Sequence, residues 1–126
     1  MKKTEQLDSL FAEWRSVLGP DGDRFIADGI IHEPSYLNAP SKVLFLGKEP
    51  HDKQGGGWDF REEWPKDPNW KHAQQIKRWS FGILNGFPAW EEAVSPPENT
   101  LMKVATMNVK KTGGGAASIY TDIEHH

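Results

Sequence analysis

Apolar residues recur at Leu7, Leu10, Phe11, Trp14, Val17 and Leu18. Steps of three and four put them on one side of an α-helix. Thr4 can cap its start and Gly19-Pro20 stops it, so an amphipathic helix lying on a sheet is expected. The turn-rich stretch DGDRFIADGIIHEPSYLNAPS reads as a long connection over the core, with a short extended piece at Gly29–His32. KVLFL (Lys42–Leu46) is an apolar run without alternation. That pattern predicts a strand buried on both faces, as in a parallel sheet. A polar and aromatic loop containing Pro65 and Pro68 leads to a second helix, capped by Asn69, in which Trp70, Ala73, Ile76, Trp79 and Ile83 share one face. Pro88 suits the first turn of a short helix, PAWEEAV. Thr100–Lys103 adds a helical turn, and VATMNV (Val104–Val109) reads as a second buried strand.

Helix, strand, helices and strand in that order are the α/β pattern, with connections long enough for parallel crossovers. In such sheets ligands bind where loops leave the carboxyl ends of the strands. Both strands end there alike, in a polar cluster, a lysine and a run of three glycines: Gly55–Gly57 after the first and Gly113–Gly115 after the second. The two loops are expected to converge on one site.

The chain's 126 residues, 37% of them apolar or aromatic, suit a single domain spanning 1–126 with one core. A net charge of −3 gives no global basic field, which argues against a general DNA-coating protein but leaves room for a local basic patch. The lack of cysteine excludes disulfides, thiolate zinc sites and cysteine-ligated clusters. The N-terminus is charged and amphipathic, unlike a signal peptide. No apolar run approaches the roughly 18 residues of a membrane span. A cytoplasmic, bacterial-type protein without membrane association is therefore expected. Tryptophan is over-represented: five of the six lie between Trp58 and Trp90. They serve a core and its rim, or form a stacking wall for a planar ligand.

Pro50 keeps Glu49 extended, so Glu49 and His51 share a side and Asp52 faces away. A carboxylate at a strand end, shielded by rings, can activate a water; the plain alternative is a solvated turn residue paired with Lys48. Glycine backbone can approach phosphate oxygens, with Lys48, Lys53, Lys110 and Lys111 adding charge, or can simply be loop. Asn108 is a polar amide inside an apolar strand, which is costly unless satisfied. It either bonds neighbouring backbone or reads a ligand's edge. Glu49, His51 and Asp52 are also possible metal ligands, but their spacing matches no strong metal motif. No metal and no cofactor is expected.

The segments Gly47-Lys48-Glu49-Pro50-His51-Asp52 and Thr106-Met107-Asn108-Val109-Lys110-Lys111 resemble two motifs of the uracil-DNA glycosylase superfamily. The first is similar to G-Q-D-P-Y-H, the second to T-N-x-V-K. KVLFLGKEPHD…GGGWDFRE, RWSFGIL and VATMNVKKTGG are similar to a poorly characterised bacterial family within it, over roughly residues 11–124. The resemblance implies a three-layer α/β/α sandwich around a short parallel sheet and a DNA-repair hydrolase that cleaves the N-glycosidic bond of a flipped base. It implies Glu49 as the water-activating group, Asn108 as the reader of the base, and His51, Trp58 or Phe60 stacked on it. Gly55, Gly56, Gly113, Gly114 and Lys110 would hold flanking phosphates. DNA or a nucleotide would be the partner. The chain departs from the family in having Glu where the first motif has Asp, and in lacking a His-Pro-Ser-type segment. A non-catalytic nucleotide or nucleic-acid binding module, or a metal-assisted hydrolase using Glu49, His51 and Asp52, are the alternatives. TDIE (Thr121–Glu124) has the form of a capping box that opens a helix, and two core strands leave an apolar edge unpaired. The expectation is an N-terminal part of a longer domain, or a sheet completed by a second chain.

Overall fold

A computed structural model describes residues 2–52 and 55–113. Its described residues form a mixed α/β fold with five α-helices, short 3₁₀ turns and a three-stranded sheet. The strands are β1 (Gly29–Ile30), β2 (Leu44–Gly47) and β3 (Ala105–Asn108), in spatial order β1-β3-β2. β2 and β3 run parallel, as expected, with Leu44 opposite Ala105 and Gly47 opposite Asn108. The ladder continues past β3 through Val109 N–H to the Gly47 carbonyl (3.1 Å) and Lys110 N–H to the Lys48 carbonyl (2.8 Å). β1 lies antiparallel to β3, so the sheet is mixed, not purely parallel. The strand falls within the short extended piece expected at Gly29–His32 of the turn-rich stretch, and the ladder to β3 satisfies its backbone.

Helix α1 (Lys3–Leu18) forms over the predicted periodicity, but Lys2, not Thr4, is its N-cap. Thr4 sits inside the first turn and donates from its backbone N and Oγ1 to Glu33 at 2.9 and 3.1 Å. This ties α1 to α2 (Glu33–Asn38). Phe11 of α1 packs with Phe25 and Ala27, and Leu7, Trp14 and Leu18 close around them. The main core lies around α4 (Lys71–Leu84): Ala73 and Ile76 meet Ile26, Ile31, Leu101 and Val104, with Phe60 and Trp64 from the segment of α3 (Phe60–Glu63). The short helix α5 (Trp90–Ala93) follows.

Two sequence expectations fail here for physical reasons. β3 is buried as predicted, but β2 is not. Leu44 and Leu46 are 53% and 69% exposed, while the alternate residues Val43 and Phe45 pack on the core. The apolar run implies two covered faces; among the described residues only the α4 side is covered, and the outer edge of β2 has no strand partner. In α4 the buried stripe is Ala73, Ile76, Lys77 and Ser80. Trp70, Trp79 and Ile83 are turned outward by part of a helical step and remain partly exposed. Lys77 can take a buried place because its stem packs inside while Nζ reaches Asp67 at 3.0 Å. The helix begins after Trp70, not Asn69, and no side chain caps it. No described helix is long and apolar enough to cross a membrane.

Candidate functional site

A cleft of about 740 Å³ opens at the carboxyl ends of β2 and β3. The loop leaving β2 contributes Glu49, His51 and Asp52, and the end of β3 contributes Asn108. Trp58 and Phe60 come from the approach to α3, and Trp70, Lys71, His72 and Gln75 from the start of α4. Five of the residues expected to bind or process a base (Glu49, His51, Trp58, Phe60 and Asn108) are thus brought to one hollow. Asp52 lines it as well, rather than facing away.

The backbone beneath Asn108 is fixed by a buried carboxylate. Its N–H donates to Asp28 Oδ2 at 2.8 Å. Asp28 in turn takes two bonds from Lys111 Nζ, at 2.9 and 2.8 Å, and both side chains are fully enclosed. Burial pushes the Asp28 carboxyl up from its ordinary value, while Lys111 beside it pulls it back. Burial likewise pushes the Lys111 ammonium down against the pull of Asp28. The Asn108 side chain is different. The residue is only 8% exposed and lines the cleft, yet among the described residues no hydrogen bond engages its carboxamide. Gly47, opposite in register, makes room for it: a Cβ there would stand 2.5 Å from Asn108 Oδ1.

Glu49 is held by Lys110. Nζ lies 3.0 Å from Oε2, and the two side chains are 5% and 9% exposed respectively for Glu49 and Lys110. Asp52 acts as a strut, accepting from Trp58 Nε1 at 2.8 Å and from the Gly55 N–H at 2.7 Å. It thereby sets the Trp58 ring, which packs against Phe60 at 4.6 Å and edge-on to Trp70 at 5.4 Å between centroids. This makes an aromatic wall on one side of the cleft.

The residues expected to cradle phosphate are placed elsewhere. Gly56, at φ +117°, has the Arg24 backbone where a side chain would be; a Cβ would lie 2.6 Å from the Arg24 carbonyl oxygen. Gly113 is packed in the same way on the Asp52 backbone. Neither glycine, nor Gly55, nor Lys110 lines the cleft. Their roles here are close packing, the bond to Asp52 and the pair with Glu49. Gly114 and Lys53 lie outside the described residues. No group of three histidine or acidic side chains suited to a metal occurs among the described residues.

Four cleft residues were not anticipated as site groups: Trp70, Lys71, His72 and Gln75. The signal available in NWKHAQQ was the crowding of polar and basic residues into the first turn of a predicted helix. Desolvation near Trp64, whose ring centroid is 6.4 Å away, pushes the His72 imidazole below its ordinary value, so it is neutral at pH 7. Asp28 was missed too, although a carboxylate between FIA and GII demands a buried partner. The chain matches no family model, no curated protein and no solved structure.

Proposed function

We propose that the cleft receives a single nucleobase extruded from DNA and hydrolyses its N-glycosidic bond, on a three-layer fold of the uracil-DNA glycosylase type. The observation that carries this reading is the Asn108 carboxamide, nine-tenths buried, facing an aromatic-walled cleft and engaged by no described residue. A carboxamide that lines the cleft without a partner among the described residues has its donor and acceptor open to a ligand. A planar ligand edge with one donor and one acceptor would satisfy it. Trp58 and Phe60 supply the stacking surface such a base needs. Glu49 then directs a water at C1′ and takes its proton as the C1′–N bond breaks. The departing base gains electron density, and Asn108 Nδ2 and the neutral His72 are donors on the same cleft that can meet it. Lys71 at the uncapped start of α4 and Lys48 on the β2 loop supply positive charge for the adjoining phosphate.

The Glu49–Lys110 pair favours a second reading. A carboxylate oxygen already held by an ammonium at 3.0 Å suits a site that binds a nucleotide without turning it over. Abasic-site formation on uracil-containing single- and double-stranded oligonucleotides separates the two. Hydrolysis by wild type that is lost in Glu49→Gln, with binding of the free base retained, supports the hydrolase. Loss of base binding together with turnover in Asn108→Ala assigns the reader. Base binding without hydrolysis identifies the binding module, and equal turnover by wild type and Glu49→Gln removes Glu49 from the mechanism.

A further inference from the structure

The exposed flank of α4 continues out of the cleft into a second hollow. Lys71, His72 and Gln75 line the cleft. Gln75, Arg78, Trp79, Gly82 and Ile83 line an apolar groove of about 450 Å³. Steps of three and four keep these residues on one side of the helix, and Gln75 belongs to both hollows. The track from Lys71 to Ile83 is about 18 Å long at about 1.5 Å per residue. That is about five bases at a stacked spacing of about 3.4 Å.

The groove is walled by aromatic rings. Trp79, Phe87 and Trp90 are 51%, 77% and 68% exposed, and three large rings around one groove form a patch that calls for a ligand. Phe87 is also held in the left-handed region at φ +56°, with its N–H bound to the Gly82 carbonyl at 2.7 Å. Strained backbone of this kind persists where the surroundings enforce it. Trp79 stacks on Phe45 at 6.5 Å between centroids, 26° apart in plane, which fixes its ring while leaving half of its surface open. Arg78 stands on the α4 side, and its Nε donates to the Val94 carbonyl at 3.4 Å. Glu91 and Glu92 belong to the first turn of α5 and are not among the residues that line the groove.

We propose that this groove is a stacking platform for single-stranded DNA leading into the cleft. The inference rests on the reading of the cleft as a base site and names its substrate class. Phosphates follow Lys71 and Arg78, and bases turn onto Trp79, Phe87 and Trp90. Stacking on indole needs a free base face, which a duplex does not offer.

The test is fluorescence anisotropy with labelled deoxyuridine oligonucleotides of increasing length, using Glu49→Gln protein so that nothing is hydrolysed. Affinity is expected to rise with length up to about five nucleotides, and to fall steeply with salt. Trp79→Ala/Trp90→Ala in that background flattens the length dependence by about tenfold or more, while the shortest ligand binds as before. Trp90→Ala alone, at a largely exposed position, gives part of the loss with the fold intact by circular dichroism. The proposal is overturned if the folded double variant keeps the length dependence, if duplex DNA or single-stranded RNA binds better, or if the groove proves to be covered by a second copy in a dimer that Trp90→Ala dissociates. Asn108→Ala keeps the two claims apart: unchanged binding of the shortest ligand refutes the base site, while a length dependence that still collapses in the tryptophan variants upholds the platform.

Discussion

Lys110 and Lys111 are neighbours at the end of β3, and each reaches a carboxylate far away in sequence: Glu49 for the first and Asp28 for the second. Their surroundings differ. The Asp28–Lys111 pair is completely enclosed, with Nζ also 5.3 and 5.1 Å from the ring centroids of Phe11 and Trp14. It joins α1, the β1 approach and the backbone of Asn108. The Glu49–Lys110 pair meets at 3.0 Å, and its carboxylate lines the cleft. The same two chemical groups, one residue apart, thus serve as a scaffold on one side of the strand and hold a cleft-lining carboxylate on the other. The place of the carboxylate, inside the core or on the cleft, distinguishes the two pairs.

The contrast is sharpest in stability. Lys111→Met leaves a buried carboxylate unpaired, and a loss of about 3–5 kcal/mol is expected. Asp28→Asn keeps an acceptor for the Asn108 N–H, so the double variant Asp28→Asn/Lys111→Met should lose less than the sum of the singles. Urea unfolding checks both, and a Lys111→Met protein within 1 kcal/mol of wild type, on the order of a single hydrogen bond, would break the distinction. Glycine placement gives the next effect. Gly56→Ala meets both the positive φ and the Arg24 backbone and should cost about 2–3 kcal/mol. Gly86→Ala, at φ +72° with nothing within 4 Å, should cost only about 1 kcal/mol. Equal losses in the two would mean that the glycine run is ordinary loop rather than a packed contact.

Glu49→Gln should cost less stability than Lys111→Met, about 1–2 kcal/mol, because the glutamine carboxamide keeps an oxygen that can accept from Lys110 Nζ. Its expected effect on base release is larger, a fall of about 100-fold or more. The smallest effect is a pH dependence. The pKa of His72 in the folded chain lies below its ordinary value of 6.5, so the unfolded chain binds the proton more readily. The stabilisation is fully present above about pH 6.5 and declines as the pH falls toward and through the folded pKa. His72→Gln should flatten that part of the stability profile; an unchanged profile would show that another group produces it.

The sequence conveyed the periodic parts best. The spacing of α1 and the parallel pairing of KVLFL with VATMNV were legible, because each depends on local pattern. What depended on tertiary partners was not. KVLFL reads as doubly buried, yet Leu44 and Leu46 are open because a run of apolar residues cannot say which faces are covered. Trp79 matched the helical stripe of α4, but a rotation of part of a turn put Lys77 and Ser80 inside in its place. The glycine runs suggested phosphate loops, while Gly56 and Gly113 sit against the Arg24 and Asp52 backbones, contacts that arise only once distant segments meet. Of the site, Glu49 and Asn108 could be singled out in advance. His72 and the pairing of Lys110 with Glu49 could not, since both depend on the approach of α4 and on the register of β2 with β3.

The most direct measurement is a titration of free uracil into wild type and Asn108→Ala, read by calorimetry or by tryptophan fluorescence. The account predicts saturable binding to wild type and a loss of about 10-fold or more in the variant, the effect of removing hydrogen bonds from a buried amide-reading site. Binding of the same strength to both proteins would contradict the central claim that the buried Asn108 carboxamide is kept for a ligand.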